Sequence, residues 1–176
     1  MFSGSINKLS IIYIFILLQS CNTATVEQNK PSSDSTNQKL ISVNKYMLKS
    51  DDELIKNYIH RHEFKMKQTE SGLYYQVLKS KNGSEIKPGN SVTLKYKVEL
   101  LDGTLCYSSD SLGNKKIDLG TDKIEAGLDE GLRLLKNGDV ACFILLPHLA
   151  FGLSGDNNRI PPRSTIVYSI DIIQVK

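Results

Sequence analysis

The residues of this 176-residue chain that most readily suggest catalysis lie in its C-terminal part. His148 follows a proline, and Ser154 and Asp156 come a few positions later, so the three residue types of a hydrolytic triad are present. The chain has no Gly-x-Ser-x-Gly elbow, however, and closeness along a sequence does not create triad geometry. We therefore predict that the protein is not a triad hydrolase.

Sequence motifs for metals and cofactors are also missing. His60 and His62 stand two positions apart in a predicted helix, so their side chains point in different directions. There is no Cys-x-x-Cys pair and no glycine-rich phosphate loop, and we expect neither a metal site nor a cofactor. The net charge is only +3 and the lysines are scattered, which argues against nucleic acid as a partner.

The first 20 residues are typical of a secretory signal peptide. Lys8 precedes an apolar run over residues 9–18, which suits a signal-peptide core and is too short to span a bilayer as a helix. The run ends in "LLQSC", which resembles the bacterial lipobox and predicts that Cys21 is lipidated. The alternative is an ordinary cleavage site with an incidental cysteine. Lipidation would anchor the protein to a membrane, on its periplasm-facing side or elsewhere in the cell envelope.

Two further segments precede the main domain. Residues 21–46 are rich in Ser, Thr, Asn and Gln, which predicts a flexible tether. Residues 47–70 are assigned to an N-terminal helix, expected at about 51–67, because Ser50 and Glu53 form a capping box. The apolar residues that recur on one face of this helix are Leu54, Ile55, Tyr58, Ile59 and Met66.

Residues 71–176 have the pattern of strands with one helix inserted late. The segments "LYYQVLK", "SVTLKYKVELL" and "STIVYSIDIIQV" alternate apolar and polar residues, whereas "VACFILL" is continuously apolar. Residues 101–104 predict a hairpin turn. The stretch "IEAGLDEGLRLLKNGDV" predicts a short amphipathic helix with Leu128, Leu132 and Leu135 on its apolar side. These elements predict an antiparallel α+β domain, with a concave gap where the helix begins.

Five motifs follow one another along this domain. In chain order they are "IKPGNSVTLKYKVELLDGT", "IDLG", "IEAGLDEGLRLLKNGD", "LPHLAFG" and "IPPRSTIVYSIDII". Together they resemble the motifs of FKBP-type peptidyl-prolyl isomerases. The resemblance implies a curved antiparallel sheet, or half-barrel, wrapped around one short helix, with the helix of residues 47–70 as an addition. It also implies catalysed rotation of the peptide bond before proline in an apolar pocket. The lipid anchor further resembles the FKBP-like lipoproteins associated with gliding motility.

The resemblance also assigns the pocket residues, position by position. The catalytic surface would be formed by Tyr96, Leu128 and Phe151. The residues expected to bind substrate are Cys106, Tyr107, Ile117, Ile124, Glu125, Ile160 and Tyr168. At Glu125 the family uses a backbone N–H to hold the substrate carbonyl, whereas the other residues provide aromatic or aliphatic walls.

Four of these positions depart from the family pattern. Leu128 stands where the family has Trp as the pocket floor, and Phe151 replaces a Tyr whose hydroxyl donates to the substrate carbonyl. Cys106 and Tyr107 replace the Phe and Asp of the usual "FDSS" signature. These changes imply a reduced activity.

Alternative interpretations of the same residues remain open. Tyr96, Leu128 and Tyr168 face inward on strands or the helix, and such residues are more often simply core. Three functions therefore remain open. The protein is an isomerase for exported or envelope proteins, or it is a scaffold that binds proline-containing segments without turning them over, or it is a lipoprotein that holds a small apolar ligand. Cys142 adjoins the expected core residue Phe143 and points away from it, whereas Cys106 would line the pocket, so we predict no disulfide between the two cysteines.

Overall fold

The computed structural model describes residues 33–176 of the chain. The predicted signal peptide, the lipobox residue Cys21 and the first part of the predicted tether therefore lie outside the described residues. The chain divides into two compact units, residues 1–41 and residues 42–176. What is described of the first unit is helical. No helix among the described residues has the length and apolar character that crossing a membrane requires.

Helix α1 spans Ser33–Arg61, and its bounds differ from the prediction at both ends. It begins within the segment that composition had assigned to a flexible tether, and Ser50 therefore lies inside the helix and does not cap its start. Leu40, Ile41 and Tyr46 are more than half exposed, so the early turns are not held by burial. They extend a helix whose later turns do pack, and adding a residue to an existing helix is much easier than starting one.

The end of α1 falls at Arg61, several residues before the predicted end, because the backbone reverses at Glu63. Glu63 adopts a left-handed conformation with φ of +54°, and Phe64 N–H donates to the Ile59 carbonyl at 3.0 Å. This is the Schellman pattern of helix termination. The Phe64 ring then lies 6.3 Å from the Tyr58 ring, which gives the turn its apolar contact. Glutamate at this position gave no sequence signal for a stop, since glycine is the usual residue.

Seven strands form one sheet in the described part of the chain, and every pairing is antiparallel. They are β1 (Lys67–Gln68), β2 (Tyr74–Lys79), β3 (Ser91–Leu100), β4 (Leu105–Ser108), β5 (Lys115–Asp118), β6 (Val140–Leu145) and β7 (Ile166–Val175). The order is β1-β2-β6-β7-β3-β4, and β5 pairs with β3. The predicted hairpin turn at residues 101–104 joins β3 to β4, with Leu100 and Thr104 hydrogen-bonded at 2.9 Å.

The short helices lie in the connections between strands. They are α2 (Ser109–Leu112), α3 (Ala126–Leu132) and a 3-10 turn (Pro147–Leu149). Helix α2 was not predicted, and its N-cap is Ser108, whose hydroxyl accepts from the Asp110 N–H. Helix α3 is shorter than the sequence pattern suggested, because the Leu135 carbonyl accepts from Ile86 N–H at 3.2 Å. The predicted α+β fold, an antiparallel sheet with one central helix, is confirmed.

Both faces of the sheet are covered. The main core lies between one face and α3, and it contains Phe143 together with Leu128, Leu132 and Leu135. A second apolar cluster lies on the other face, where Ile55 and Tyr58 of α1 pack with Cys142, Ile144 and Val167. Neighbouring residues of β6 therefore point to opposite faces of the sheet and pack in two separate cores.

Polar contacts reinforce the packing of α1 on the sheet. Tyr74 O–H donates to Asp52 at 2.5 Å, and the Arg163 guanidinium lies 2.8 Å from the Asp51 carboxylate. Burial, followed by the hydrogen bond to Asp52, raises the pKa of Tyr74 to about 12, so this hydroxyl stays a donor at neutral pH.

Helix α3 approaches β6 closely because it presents two glycines to the strand. A Cβ atom at Gly131 would lie 2.5 Å from the Phe143 ring, and one at Gly127 would lie 2.7 Å from Leu145. Both distances are well below van der Waals contact. The glycines sit four residues apart, so they fall on one face of the helix. Their missing side chains fix how near α3 lies to the sheet.

We expect Gly131→Ala to destabilise the protein by up to about 2 kcal/mol. Helix propensity favours alanine by about 1 kcal/mol, but overpacking against Phe143 costs about 1–3 kcal/mol. Urea denaturation of Gly131→Ala, Phe143→Leu and the double variant measures the coupling. The double variant should lose less than the sum of the single changes, because leucine makes room for the added methyl. Stabilisation by Gly131→Ala alone would contradict the close approach.

Candidate active site

A cavity of about 530 Å³ opens where α3 begins. The side chains that line it come from β3, β4, β5, β7, the residues before α3 and the loop after the 3-10 turn. The lining residues are Tyr96, Val98, Tyr107, Lys115, Lys123, Ile124, Glu125, Ala150, Phe151, Asp156 and Tyr168. This is the position at which the sequence pattern predicted a concave gap.

Six of the ten predicted pocket residues line this cavity. They are Tyr96, Tyr107, Ile124, Glu125, Phe151 and Tyr168. Two of them, Tyr96 and Tyr168, come from neighbouring strands β3 and β7. The structure therefore brings together aromatic and aliphatic groups from distant parts of the sequence.

The other four predicted residues lie in the main core and do not line the cavity. Leu128, Cys106, Ile117 and Ile160 are each at most 2% exposed. Leu128, the predicted pocket floor, is enclosed by the core and does not line the cavity. Ile117 and Cys106 are strand residues that point inward. Sequence position alone did not separate the pocket wall from the core immediately next to it.

Five lining residues were missed by the sequence interpretation. Val98 had a readable signal, since it follows Tyr96 by two positions on β3 and so shares its face. Lys115, Lys123, Ala150 and Asp156 gave none, because their positions depend on how loops and strand ends fold back on the sheet. Four of the lining side chains are formally charged, so the cavity is more polar than an apolar pocket would be.

The loop after the 3-10 turn is tied to β4 through Asp156. One carboxylate oxygen of Asp156 accepts from the backbone N–H groups of Asn158 at 2.9 Å and Ile160 at 2.8 Å. The other accepts a short hydrogen bond from the Tyr107 hydroxyl. The resemblance implied an acid at position 107; the tyrosine there instead donates to an acid on the facing loop.

A second set of contacts between the same two segments involves Arg159 and Cys106. The Arg159 guanidinium lies 5.5 Å from the centre of the Tyr107 ring and donates to the Cys106 carbonyl at 2.9 Å. The Cys106 thiol in turn lies 3.5 Å from the Arg159 carbonyl. Cys106 and Tyr107 therefore both hold the loop against the strand.

These contacts shift the ionisation of both partners. The hydrogen bond to Asp156, followed by burial, raises the pKa of Tyr107. Burial alone would raise the pKa of Asp156, but hydrogen bonds from Tyr107 and from the Ile160 and Asn158 backbone outweigh it and lower the pKa below the usual 3.8. At neutral pH the pair is therefore a neutral phenol donating to a carboxylate.

A second phenol–carboxylate contact lies within the cavity. Tyr168 O–H donates to Oε1 of Glu125 at 2.8 Å. Burial raises the pKa of Tyr168 well above its usual value, and the charge of Glu125 raises it further. Glu125 is also the N-cap residue of α3, so this contact connects β7 to the start of the helix.

The remaining chemistry-bearing groups do not form a reactive cluster. Cys106 and Cys142 are both buried free thiols, on opposite sides of the sheet. Burial raises the pKa of Cys142 to about 12, so this thiol stays protonated. Within residues 33–176 no group of three or more His, Cys, Asp or Glu side chains is placed to hold a metal ion.

Comparison with known proteins identifies the family. A family model described as FKBP-type peptidyl-prolyl cis-trans isomerase matches residues 82–173, just over half of the chain. This match includes most of the sheet and every residue that lines the cavity. The chain belongs to the FKBP family.

Curated FKBP relatives support the assignment. A probable FKBP-type peptidyl-prolyl cis-trans isomerase of Haemophilus influenzae is 32% identical over 110 residues, which cover 62% of this chain and 45% of that protein. FkpA of Escherichia coli, an FKBP-type peptidyl-prolyl cis-trans isomerase, is 32% identical over 111 residues, which cover 63% of this chain and 40% of FkpA. The matched segments thus span less than half the length of these relatives.

A solved structure shows the same fold. The crystal structure of Escherichia coli FkpA matches with a TM-score of 0.63 at 23% sequence identity, over 98% of this chain and 84% of that one. The FKBP fold therefore accommodates the substitutions at Cys106, Tyr107, Leu128 and Phe151.

We expect Tyr107→Phe to destabilise the protein by about 1 kcal/mol at pH 7, because it removes the hydroxyl that donates to Asp156 and keeps the ring. The effect depends on pH. A carboxyl whose folded pKa is lowered stabilises the fold above its unfolded pKa, and this contribution is lost as the pH falls through the folded value. The difference between wild type and variant should therefore shrink below the usual aspartate pKa of 3.8.

Urea denaturation at pH 7 and pH 3 measures this difference. Tyr46→Phe makes the same chemical change at a side chain that is 75% exposed, and it should have little effect at either pH. A Tyr107→Phe cost that is equal at both pH values would show that the Asp156 carboxylate is not the partner that matters.

Proposed function

We propose that this protein is a peptidyl-prolyl cis-trans isomerase that assists the folding of exported or envelope proteins and acts at the cavity beside α3. The observation that carries the proposal is the family match over residues 82–173 combined with a cavity large enough for a prolyl ring. The residues that supply its apolar surface are Tyr96, Val98, Ile124 and Phe151. Its partners are proline-containing protein or peptide clients.

The chemistry requires no nucleophile and no proton relay. Rotation about the X-Pro bond breaks amide resonance against a barrier of roughly 18–20 kcal/mol, and without a catalyst it takes tens of seconds or longer. In the twisted transition state the amide is less dipolar than in the planar ground state. An apolar surface that excludes water therefore favours the transition state. A thousandfold acceleration requires only about 4 kcal/mol.

Each part of the cavity then has a role in this proposal. Tyr96 and Phe151 hold the prolyl ring between aromatic surfaces, and the Glu125 backbone N–H receives the substrate carbonyl. Tyr107, through Asp156, keeps the loop that carries Phe151 against the sheet. Because Phe151 lacks the family hydroxyl, and one hydrogen bond is worth about 1 kcal/mol, we expect an activity about fivefold lower than that of a chain with tyrosine there.

The second candidate is a scaffold that binds proline-containing segments without turning them over, for example in gliding motility machinery. It is favoured by the burial of Leu128, which leaves the cavity without the ring that the family places beneath the substrate. The charged groups that line the cavity also favour this candidate. They can bind a peptide, but they make the cavity less suited to stabilising a less dipolar transition state. Turnover distinguishes the two candidates.

An NMR exchange assay on the full chain in mild detergent, with peptides that carry Leu before Pro, tests the isomerase. We expect measurable acceleration, a loss of about tenfold in kcat/KM for Tyr96→Ala, and a gain of about fivefold for Phe151→Tyr. Leu153→Ala is the control, since Leu153 lies in the same loop, is 78% exposed and does not line the cavity.

Two results would decide for the scaffold. One is a rate equal to the uncatalysed background. The other is an acceleration that Tyr96→Ala leaves unchanged. Binding of the same peptides without turnover would then identify the cavity as a recognition site.

We also propose that the protein is lipid-anchored at Cys21 and faces the periplasm or another envelope compartment. The support comes from the sequence "LLQSC" after the apolar run. In this proposal residues 1–20 are the signal peptide, and the segment after Cys21 connects the anchor to the isomerase domain of residues 71–176. Helix α1 places part of that connection in a regular structure from Ser33 onward.

We expect Cys21→Ser to abolish incorporation of radiolabelled palmitate and to move the protein from the membrane to the soluble fraction, because it removes the thiol that carries the lipid. Ser20→Ala keeps a small residue before the cysteine and should be labelled like wild type. Equal labelling of Cys21→Ser and wild type would refute the anchor.

A further inference from the structure

The Glu125 carboxylate is only half satisfied in the structure. Its Oε1 accepts from Tyr168 O–H at 2.8 Å, whereas its Oε2 is buried and has no hydrogen-bond partner among the described residues. Glu125 also lines the cavity. A buried carboxylate oxygen without a donor raises the free energy of the unliganded protein. A ligand that donates a hydrogen bond to this oxygen therefore relieves that cost on binding.

The contact with Tyr168 holds this carboxylate in place. Because the pKa of Tyr168 lies well above its usual value, its hydroxyl stays protonated and keeps donating to Oε1 over the physiological range. The terminal torsion of a glutamate side chain is soft, so the carboxylate can turn about it to meet a donor in the cavity. Tyr168 itself is 3% exposed and is held by the sheet.

The other charged groups of the cavity do not offer a hydrogen-bond acceptor that lacks a donor. Asp156 already accepts hydrogen bonds from Tyr107, Asn158 and Ile160. Lys115 and Lys123 line the cavity, but within residues 33–176 neither forms an ion pair with Glu125. Lys123 is exposed, so its charge is screened by solvent. Among the acids of the cavity, Glu125 is the one left with an open acceptor position.

We propose that Glu125 makes this site selective for proline segments with a basic residue next to the proline. The ligand ammonium or guanidinium donates to Oε2, and a hydrogen bond between charged groups is stronger than one between neutral groups. A lysine side chain suits such a site, because its four-carbon stem can lie along an apolar wall while its ammonium meets a charge. This selectivity rests on the proposed function of the cavity and names the substrate class it takes.

The test compares peptides that differ only in one charge. In matched pairs, the residue before or after proline is lysine or norleucine, which has the same stem without the ammonium. We measure kcat/KM and, separately, Kd by NMR titration on the full chain in mild detergent. For at least one position we expect wild type to favour lysine about tenfold, as one charge-assisted hydrogen bond would give.

Three variants assign the preference to Glu125. Glu125→Gln should bring the lysine-to-norleucine ratio close to one. Tyr168→Phe keeps the charge of Glu125 but removes the hydroxyl that holds its carboxylate, so it should weaken the preference for lysine without abolishing it. Glu130→Gln is the matched control, because Glu130 lies on α3, accepts from Ser71 at 2.6 Å and does not line the cavity, and it should keep the wild-type ratio.

The outcomes separate this inference from the proposed function. Turnover with a ratio near one at both positions overturns the selectivity and leaves the isomerase intact, as does a ratio that survives Glu125→Gln. If no peptide is turned over, the isomerase proposal fails, and the Kd ratio decides the selectivity on its own. If Glu125→Gln does not fold, a wild-type ratio near one still overturns the inference, and a preference for lysine that high salt weakens supports it.

Discussion

The close approach of α3 to β6 is the constraint on which the rest of this domain depends. Gly127 and Gly131 carry no side chains, so the helix comes near enough for Phe143 and Leu145 to fill the space beneath it. This distance sets where α3 begins, and therefore where Ile124 and Glu125 meet the cavity. If α3 lay further from β6 by the width of one side chain, Ile124 and Glu125 would move away from Tyr168. The contact between α3 and β7 would then be lost.

The wall opposite α3 shows how an altered signature can retain its structural role. The acid expected on β4 is absent, but Tyr107 reaches Asp156 on the facing loop, and Arg159 covers the Tyr107 ring. A donor on the strand and an acceptor on the loop thus form a polar link between the two segments. Cys106 leaves more room than a phenylalanine would, and it is enclosed by the core. The substitutions change the chemistry of the wall and retain its attachment.

The fold was predictable from the sequence because its signals are local and repeated. Alternation in β3 and β7 and the leucine spacing of α3 each identify an element, whereas the arrangement of these elements in a curved sheet was implied by the resemblance to the FKBP motifs. The site was predictable only in part. Tyr96 and Phe151 could be placed by motif, but Leu128 turned out to be core, because whether a residue reaches a surface depends on its length and neighbours. Asp156 lies in a loop whose path no periodicity describes, and the helix stop at Glu63 uses a residue that rarely adopts a left-handed conformation.

The sheet ends in very short strands. Its order begins with β1, which has two residues, and finishes with β4, which has four. Unpaired backbone at a sheet edge is a template on which another extended chain can add. A two-residue or four-residue edge offers too few hydrogen bonds to stabilise such an addition. The short edges thereby protect this sheet from adding extended chains and co-aggregating with them.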